Sequence, residues 1–196
     1  MPKRHFLIFS LGLITLLTLS ACGQFAATRN WNTFAVEEEP RIDIQFKIPP
    51  EWYVDYAPTI GAPGQWDVVL VPPKCAPDQA EEFSDNCINL TIVLKDVADF
   101  DPQAFINFAS EDIILNQSET EKTIFLGQET VEVNDLEAEQ YNHLFFIGED
   151  EVRMSFLFFE TENAYYTFIT ELPYQEKEGE VAQQFDLLIN SIEFSS

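Results

Sequence analysis

Short runs in which apolar and polar residues alternate recur along most of the chain, and they constrain the fold more than any other feature. In residues 41–48 (RIDIQFKI), every second residue is isoleucine or phenylalanine, and Pro49 and Pro50 follow at once. Successive side chains of a β-strand point to opposite faces of the sheet, so a period of two places the apolar set on one face. The run therefore predicts a half-buried strand that ends at the prolines.

Further runs of this kind, several of them rich in β-branched and aromatic residues, predict a sheet of sequential strands. A turn between two of them is expected at Gly61, Pro63 and Gly64. Because the links between the later strands are short, antiparallel neighbours and a meander are favoured. These strands are expected at residues 51–58, 66–73, 88–97, 123–133, 136–147, 151–161 and 164–172.

Two segments carry the spacing of helices instead. Asp101 before Pro102 is typical of a helix N-terminus, and an apolar stripe extends this first helix to about Asn116. Residues 180–190 place a second apolar stripe on one helical face. The predicted fold class is therefore α+β, an antiparallel β-sheet meander flanked by helices.

The N-terminus has the form of a secretory signal. Basic residues at positions 3–5 precede a mostly apolar run, residues 6–19, which is shorter than the roughly 20 residues of a membrane-spanning helix. The next residues complete a Leu-Ser-Ala-Cys motif that ends at Cys22 and resembles the lipobox of bacterial lipoproteins. In that family the cysteine thiol is joined to diacylglycerol and the signal is cut before the cysteine. The alternative is an ordinary secretory signal that is cut nearby and leaves Cys22 free.

The lipobox predicts how the chain is organised and where it resides. Residues 1–21 would be a lipoprotein signal peptide, residues 22–40 a lipidated tether, and residues 41–196 a single domain. Stable anchoring takes two or more acyl chains, which a lipobox cysteine carries. The domain is expected at the cell membrane or outer membrane, facing a periplasmic, extracellular or lumenal compartment. Trp31 and Phe34 could instead dock on the domain or at the lipid interface.

The other two cysteines, Cys75 and Cys87, flank a polar, turn-rich loop. An exported domain meets an oxidising environment in which disulfides persist, so a bond between them is predicted. Closing a loop of this size stabilises the fold by roughly 3 kcal/mol in the chain-entropy model. Two free thiols, or one thiol with a redox role, are the alternatives.

The charge of the chain limits its partners. The full sequence has 10 basic and 34 acidic residues, and loss of Lys3 and Arg4 with the signal leaves a net charge of −26. Nucleic-acid binding depends on lysine and arginine and is not expected. The acidic surface is expected to be simply hydrated, although it could attract a divalent cation or a basic partner.

The sequence offers only weak candidates for chemistry. His143 alternates with Glu137, Glu139 and Tyr141 along one predicted strand face, which could describe a metal site or a general base. A surface histidine on an acidic strand is the preferred interpretation. A calcium site among the carboxylates of the cysteine loop is a second weak candidate. Those carboxylates belong to Asp78, Glu81, Glu82 and Asp85.

Four segments together give the chain a family resemblance. They are FKIPPEW (residues 46–52), INLTIVLKDV before the Asp-Pro helix, YYTFI (165–169) and FDLLINSIEF (185–194). Over residues 41–194 the chain resembles the PsbP-like fold, whose members include an extrinsic photosystem II protein and exported bacterial domains. The resemblance implies an antiparallel sheet flanked by helices and, in bacteria, often a lipid anchor. It implies no enzyme activity and supplies no ligand residues.

These observations favour a non-catalytic accessory or protein-interaction domain, anchored to the membrane by lipid, with an unknown protein partner and no cofactor. The alternative is a binding module for calcium or a small ligand, which includes a photosystem II-type accessory role in a photosynthetic host. An enzyme of unrecognised type is a third hypothesis, for which the sequence contains no hydrolase elbow or phosphate-binding glycine loop.

Overall fold

The computed structural model describes residues 27–73, 88–97, 100–110, 121–147, 150–173 and 179–194. The helices within these ranges are α1 (Pro102–Ser110) and α2 (Glu180–Ile189). The strands are β1 (Asn32–Ala35), β2 (Ile44–Ile48), β3 (Tyr53–Pro58), β4 (Gln65–Val71), β5 (Ile88–Leu94), β6 (Glu121–Val133), β7 (Leu136–Ile147), β8 (Asp150–Glu160), β9 (Ala164–Pro173) and β10 (Glu193–Phe194). The predicted α+β class is confirmed.

The larger sheet has seven antiparallel strands in the order β3-β4-β5-β9-β8-β7-β6. It consists of two meanders, β3 to β5 and β6 to β9, which join where β5 pairs with β9. In that pairing Leu90 lies opposite Phe168 and Ile92 lies opposite Tyr166. The meander expected from the sequence is therefore present in each half, and a non-local pairing unites the halves.

The hairpin between β6 and β7 turns on Asn134 and Asp135, whose φ angles are 45° and 66°. Two consecutive residues with positive φ form the tight turn whose twist matches that of antiparallel strands, and Asn and Asp tolerate this conformation better than other non-glycine residues.

The smaller sheet has the order β1-β2-β10 and packs its apolar face on the larger sheet. β1 pairs with β2, and Phe34 is buried opposite Phe46. Residues 32–35 thus belong to the folded domain, and Trp31, just before β1, packs against the same core. The docking of Phe34, an alternative considered from the sequence, is what the structure shows.

Each face of the larger sheet is covered by a helix. On one face, Phe168 contacts Phe46 of the smaller sheet and Phe185 of α2, with ring centroids 5.9 Å apart in both pairs. On the other face, Phe105 of α1 packs against Phe158, with centroids 5.5 Å apart. Full burial of one such side chain contributes about 1.5–3 kcal/mol, so the doubly covered central strands hold the domain together.

The helix N-terminus predicted at Asp101 is confirmed. Its carboxylate accepts hydrogen bonds from the backbone N–H groups of Gln103 at 3.0 Å and Ala104 at 3.2 Å. α1 is described to Ser110, and the rest of the predicted helix, to Asn116, lies outside the described residues. α2 matches its prediction to within one residue. No helix in the described part of the chain is long and apolar enough to cross a bilayer.

A buried hydrogen bond joins the two sheets. The hydroxyl of Tyr166 on β9 donates to the carboxylate of Asp43, next to β2, at 2.6 Å. Burial and then this carboxylate raise the pKa of Tyr166 well above its usual value. Because the neutral phenol is the form that the fold stabilises, this contribution is complete below the ordinary tyrosine pKa of about 10 and is lost as pH rises above it.

We expect Tyr166→Phe to lower the free energy of unfolding by about 1.5–3 kcal/mol at pH 7, because the hydrogen bond of a buried hydroxyl to a half-buried carboxylate is removed. The variant should also lose less stability than the parent between pH 9 and pH 11. Urea unfolding at several pH values measures both effects, with Tyr53→Phe as an exposed control. Equal pH slopes in the parent and Tyr166→Phe would contradict this role.

Candidate functional site

A cleft of about 540 Å³ lies between α2 and the adjacent face of strands β6 to β9, and we call it the α2 cleft. It is open to solvent on one side and has both polar and apolar walls. The polar lining comes from Glu132, Gln140, Arg153, Ser155, Thr170, Asp186 and Asn190. The apolar lining comes from Val131, Leu157, Leu172, Ala182, Phe185 and Ile189.

The periods of strand and helix bring these side chains together. Arg153, Ser155 and Leu157 are two residues apart on β8 and so face the same side of the sheet. On β9, Leu172 lies opposite Arg153 and Thr170 lies opposite Ser155. From the helix, residues 182, 185, 186 and 189 point to the sheet at spacings of three and four. The cleft is therefore a product of the regular elements rather than of a loop.

Arg153 is held against the floor of the cleft by a neutral side chain. One of its terminal nitrogens donates to Asn142 Oδ1 at 2.9 Å, and the same oxygen accepts from the hydroxyl of Ser155 at 2.7 Å. Asn142 is itself buried, and its amide nitrogen donates to Glu129 at 3.2 Å, which fixes the orientation of the amide. Asn142 thus positions two hydrogen-bonding groups of the cleft at once.

Arg153 has no charged partner among the residues that the structure describes. Its Nε atom is buried and has no hydrogen-bond partner, and no carboxylate within the described ranges forms an ion pair with it. A guanidinium offers five N–H donors in a planar fork, and burying one without a partner is costly. Because Nε is buried, the donors that a molecule in the cleft can reach are those of the terminal nitrogens, one of which bonds to Asn142.

Asp186 places an opposite charge on the helical wall. Partial burial in the cleft raises the pKa of Asp186, and the nearby positive charge of Arg153 acts in the opposite direction. The two side chains are close enough to influence each other, yet no hydrogen bond or ion pair joins them in the part of the chain that is described. The α2 cleft thus carries the positive charge of Arg153 on the sheet and the negative charge of Asp186 on the facing helix, with a second carboxylate, Glu132, near the end of β6.

The sequence interpretation of His143 is wrong, because its side chain is fully buried rather than at the surface. Its Nε2 atom lies 2.8 Å from the carbonyl oxygen of Ala109 in the last turn of α1. Since a carbonyl can only accept, Nε2 carries the proton. The ring also packs against Phe125 and Phe156, with centroids 5.1 and 5.7 Å apart. His143 fastens α1 to the sheet.

The carboxylates near this strand do not gather into a metal site. Glu139 accepts a hydrogen bond from the hydroxyl of Tyr141, which lies between it and His143. No group of three or more His, Cys, Asp or Glu side chains is placed to hold a metal ion among the residues that the structure describes. The other sequence candidates lie outside those residues: Cys22, Cys75 and Cys87, together with the acidic residues of the cysteine loop.

Sequence reasoning missed the three charged residues of the α2 cleft, Glu132, Arg153 and Asp186. The available signal was Arg153, a basic residue on the same strand face as Leu157 and Phe159 in a chain with only 10 lysines and arginines. When the neighbours of an arginine on the same strand face are buried, the guanidinium needs a hydrogen-bond partner. Such an arginine therefore indicates a binding site. Asp186, within the apolar stripe of α2, is a second signal of the same kind.

Comparison with known proteins identifies the fold and no more. No protein-family model matches the sequence, and no curated protein is similar enough to count as a relative. Among solved structures, the chain is similar to cyanobacterial PsbP (CyanoP) from Synechocystis sp. PCC 6803, with a TM-score of 0.54 and 14% identity over 84% of this chain and 92% of that chain. This similarity confirms the predicted PsbP-like fold.

Weaker similarities extend to proteins of different descriptions. LpqN, described as involved in cell envelope biogenesis of Mycobacterium tuberculosis, gives a TM-score of 0.47 at 13% identity over 85% of this chain and 92% of that chain. The Ran-binding protein Mog1p of Saccharomyces cerevisiae gives 0.44 at 15% identity over 84% of this chain and 95% of that chain. Function must therefore be argued from this chain's own residues.

We expect His143→Phe to lower the free energy of unfolding by about 1–3 kcal/mol, because a buried carbonyl of α1 loses its donor while the ring volume is nearly kept. Amide hydrogen exchange should speed up in α1 and stay unchanged in α2. His143→Gln, which retains an N–H donor, serves as the matched variant and should recover part of the loss. Unchanged exchange in α1 would contradict the role assigned to His143.

Proposed function

We propose that this chain is an exported lipoprotein that acts without catalysis, as an accessory domain held at a membrane surface by acylated Cys22. The observation that carries the proposal is the N-terminal pattern: basic residues, a short apolar run and the Leu-Ser-Ala-Cys motif. At the leaflet surface, two or more acyl chains are sufficient for stable attachment. The acidic domain would not be attracted to anionic headgroups, so the lipid must provide the attachment.

The fold supports a domain that works close to its anchor. β1 begins at Asn32, so nine residues, 23–31, separate it from Cys22. Even a fully extended chain of nine residues spans only about 30 Å. The domain would therefore remain within about its own diameter of the membrane, where a membrane-bound partner is within reach.

A protein partner is supported by the free edge of the larger sheet. β3 pairs with β4 on one side only, and all but one of its residues are exposed. Exposed backbone groups on an edge strand can add a strand from another chain. Two large apolar side chains, Tyr53 on this strand and Ile60 just after it, are 65% and 101% exposed. We assign protein interaction to this edge.

A second candidate function, the binding of a small ligand, is favoured by the α2 cleft. The positive charge of Arg153 there opposes calcium, which prefers several oxygen ligands. A divalent cation at the acidic cysteine loop remains a sequence-based hypothesis. The excess of acidic over basic residues opposes the binding of nucleic acid.

The anchor is tested by Cys22→Ser in a bacterial host that processes lipoproteins. The parent protein should partition with membranes, begin at residue 22 and carry added acyl mass in mass spectrometry. The variant should lose that mass and its membrane attachment, because serine has no thiol for the diacylglycerol. A parent protein that begins at another residue, or carries no acyl mass, would contradict the proposal.

The partner surface is tested in intact cells of the native host with a photo-crosslinking residue. Placed at Tyr53, it should give one reproducible crosslinked product in the membrane fraction, and placed at the exposed Glu162 it should not. Pro introduced at Tyr56 should reduce the product, since proline removes a backbone donor from an edge strand. Equal products from both positions would rule out a specific role for the β3 edge.

A further inference from the structure

The unpaired charges of the α2 cleft define what it can bind. Among the described residues Arg153 forms no ion pair, and its hydrogen bond to Asn142 is to a neutral group. A carboxylate is the partner that suits a guanidinium best, because two parallel N–H donors match its two oxygens. The hydroxyl of Ser155, beside Arg153 on the same face of β8, donates its only proton to Asn142, so its oxygen can accept a hydrogen bond from a ligand.

A simple anion would leave the other wall unsatisfied. Asp186 and Glu132 line the same space and would repel a second carboxylate, whereas a cation alone would pair with these carboxylates and be repelled by Arg153. A molecule that carries both charges a few ångströms apart satisfies both walls. An ammonium and a carboxylate on one carbon atom are the smallest such arrangement.

The apolar walls of the cleft determine which side chain a bound molecule can carry. Leu157, Leu172, Phe185 and Ile189 form apolar walls around the charged pair. The volume, about 540 Å³, falls within the range of about 300–1,000 Å³ that is usual for small-molecule sites. An apolar side chain buried against these walls would contribute binding free energy, and a long polar chain would not.

We propose that the α2 cleft binds a free α-amino acid with an apolar side chain, whose carboxylate contacts Arg153 and whose ammonium contacts Asp186. This inference deepens the small-ligand function proposed above and specifies the class of ligand. It does not depend on the lipid anchor or on the β3 edge. Asn142 is a positioning residue in this site, since it orients Arg153 and Ser155.

The experiment is calorimetric titration of the mature protein in detergent with L-leucine and L-phenylalanine. Two probes serve as matched controls: 4-methylpentanoate, which lacks the ammonium group, and 3-methylbutylamine, which lacks the carboxylate. Both amino acids should bind, and each control compound should bind at least tenfold more weakly than leucine. Chemical-shift changes in β8, β9 and α2 should accompany binding.

Variants separate the two charges. Arg153→Gln should weaken leucine binding at least tenfold, and Arg153→Lys should recover part of it. Asp186→Asn should weaken leucine binding while improving the binding of 4-methylpentanoate. Glu162→Gln, an exposed substitution away from the cleft, should change nothing. Melting curves of all variants verify that they are folded.

Three results would overturn the inference. They are no binding of either amino acid at millimolar concentration, unchanged leucine binding by a folded Arg153→Gln variant, and equal binding of 4-methylpentanoate and leucine by the parent. None of them bears on the Cys22→Ser experiment, so failure of this inference is distinguishable from failure of the proposed anchor.

Discussion

The pairing of β5 with β9 is the interaction on which the rest of the structure depends. It joins residues far apart in sequence and converts two separate meanders into one seven-stranded sheet. With neighbours on both edges and apolar cover on both faces, these central strands contain fully buried residues such as Leu90 and Phe168. Without this pairing, β5 and β9 would each be an edge strand of a separate, smaller sheet, and small isolated sheets are marginally stable in water.

The α2 cleft follows from the same arrangement. α2 covers the sheet where Phe185 meets Phe168 in the core. Further along β8 and β9, the residues on that face change from Leu157 and Phe168 to Ser155 and Thr170, and then to Arg153. The polar groups thus lie where the helix stands over the sheet without filling the space beneath it. A rigid helix and a rigid sheet support the charged groups, which favours a preformed site.

Patterns local in sequence were predictable, and contacts between distant segments were not. The period of two marked β2 to β9, and the Asp101-Pro102 pair marked the start of α1. β1 and β10 were missed because strands of four and two residues carry too little periodicity. The burial of His143 was missed because an acidic neighbour such as Glu139 suggested a solvent face, whereas α1 covers that part of β7. The charge pair of the cleft depends on the β8–β9 register and on where α2 packs. The sequence of a single segment reveals neither.

Arg153 and Asp186 line the same cleft without forming an ion pair in the described part of the chain, and we infer that a zwitterion belongs between them. The decisive measurement is a crystal structure of the mature protein grown with L-leucine. Leucine should lie in the α2 cleft, with its carboxylate on the Arg153 guanidinium and its ammonium on Asp186. A cleft without leucine, in which Arg153 and Asp186 form a direct ion pair, would contradict it.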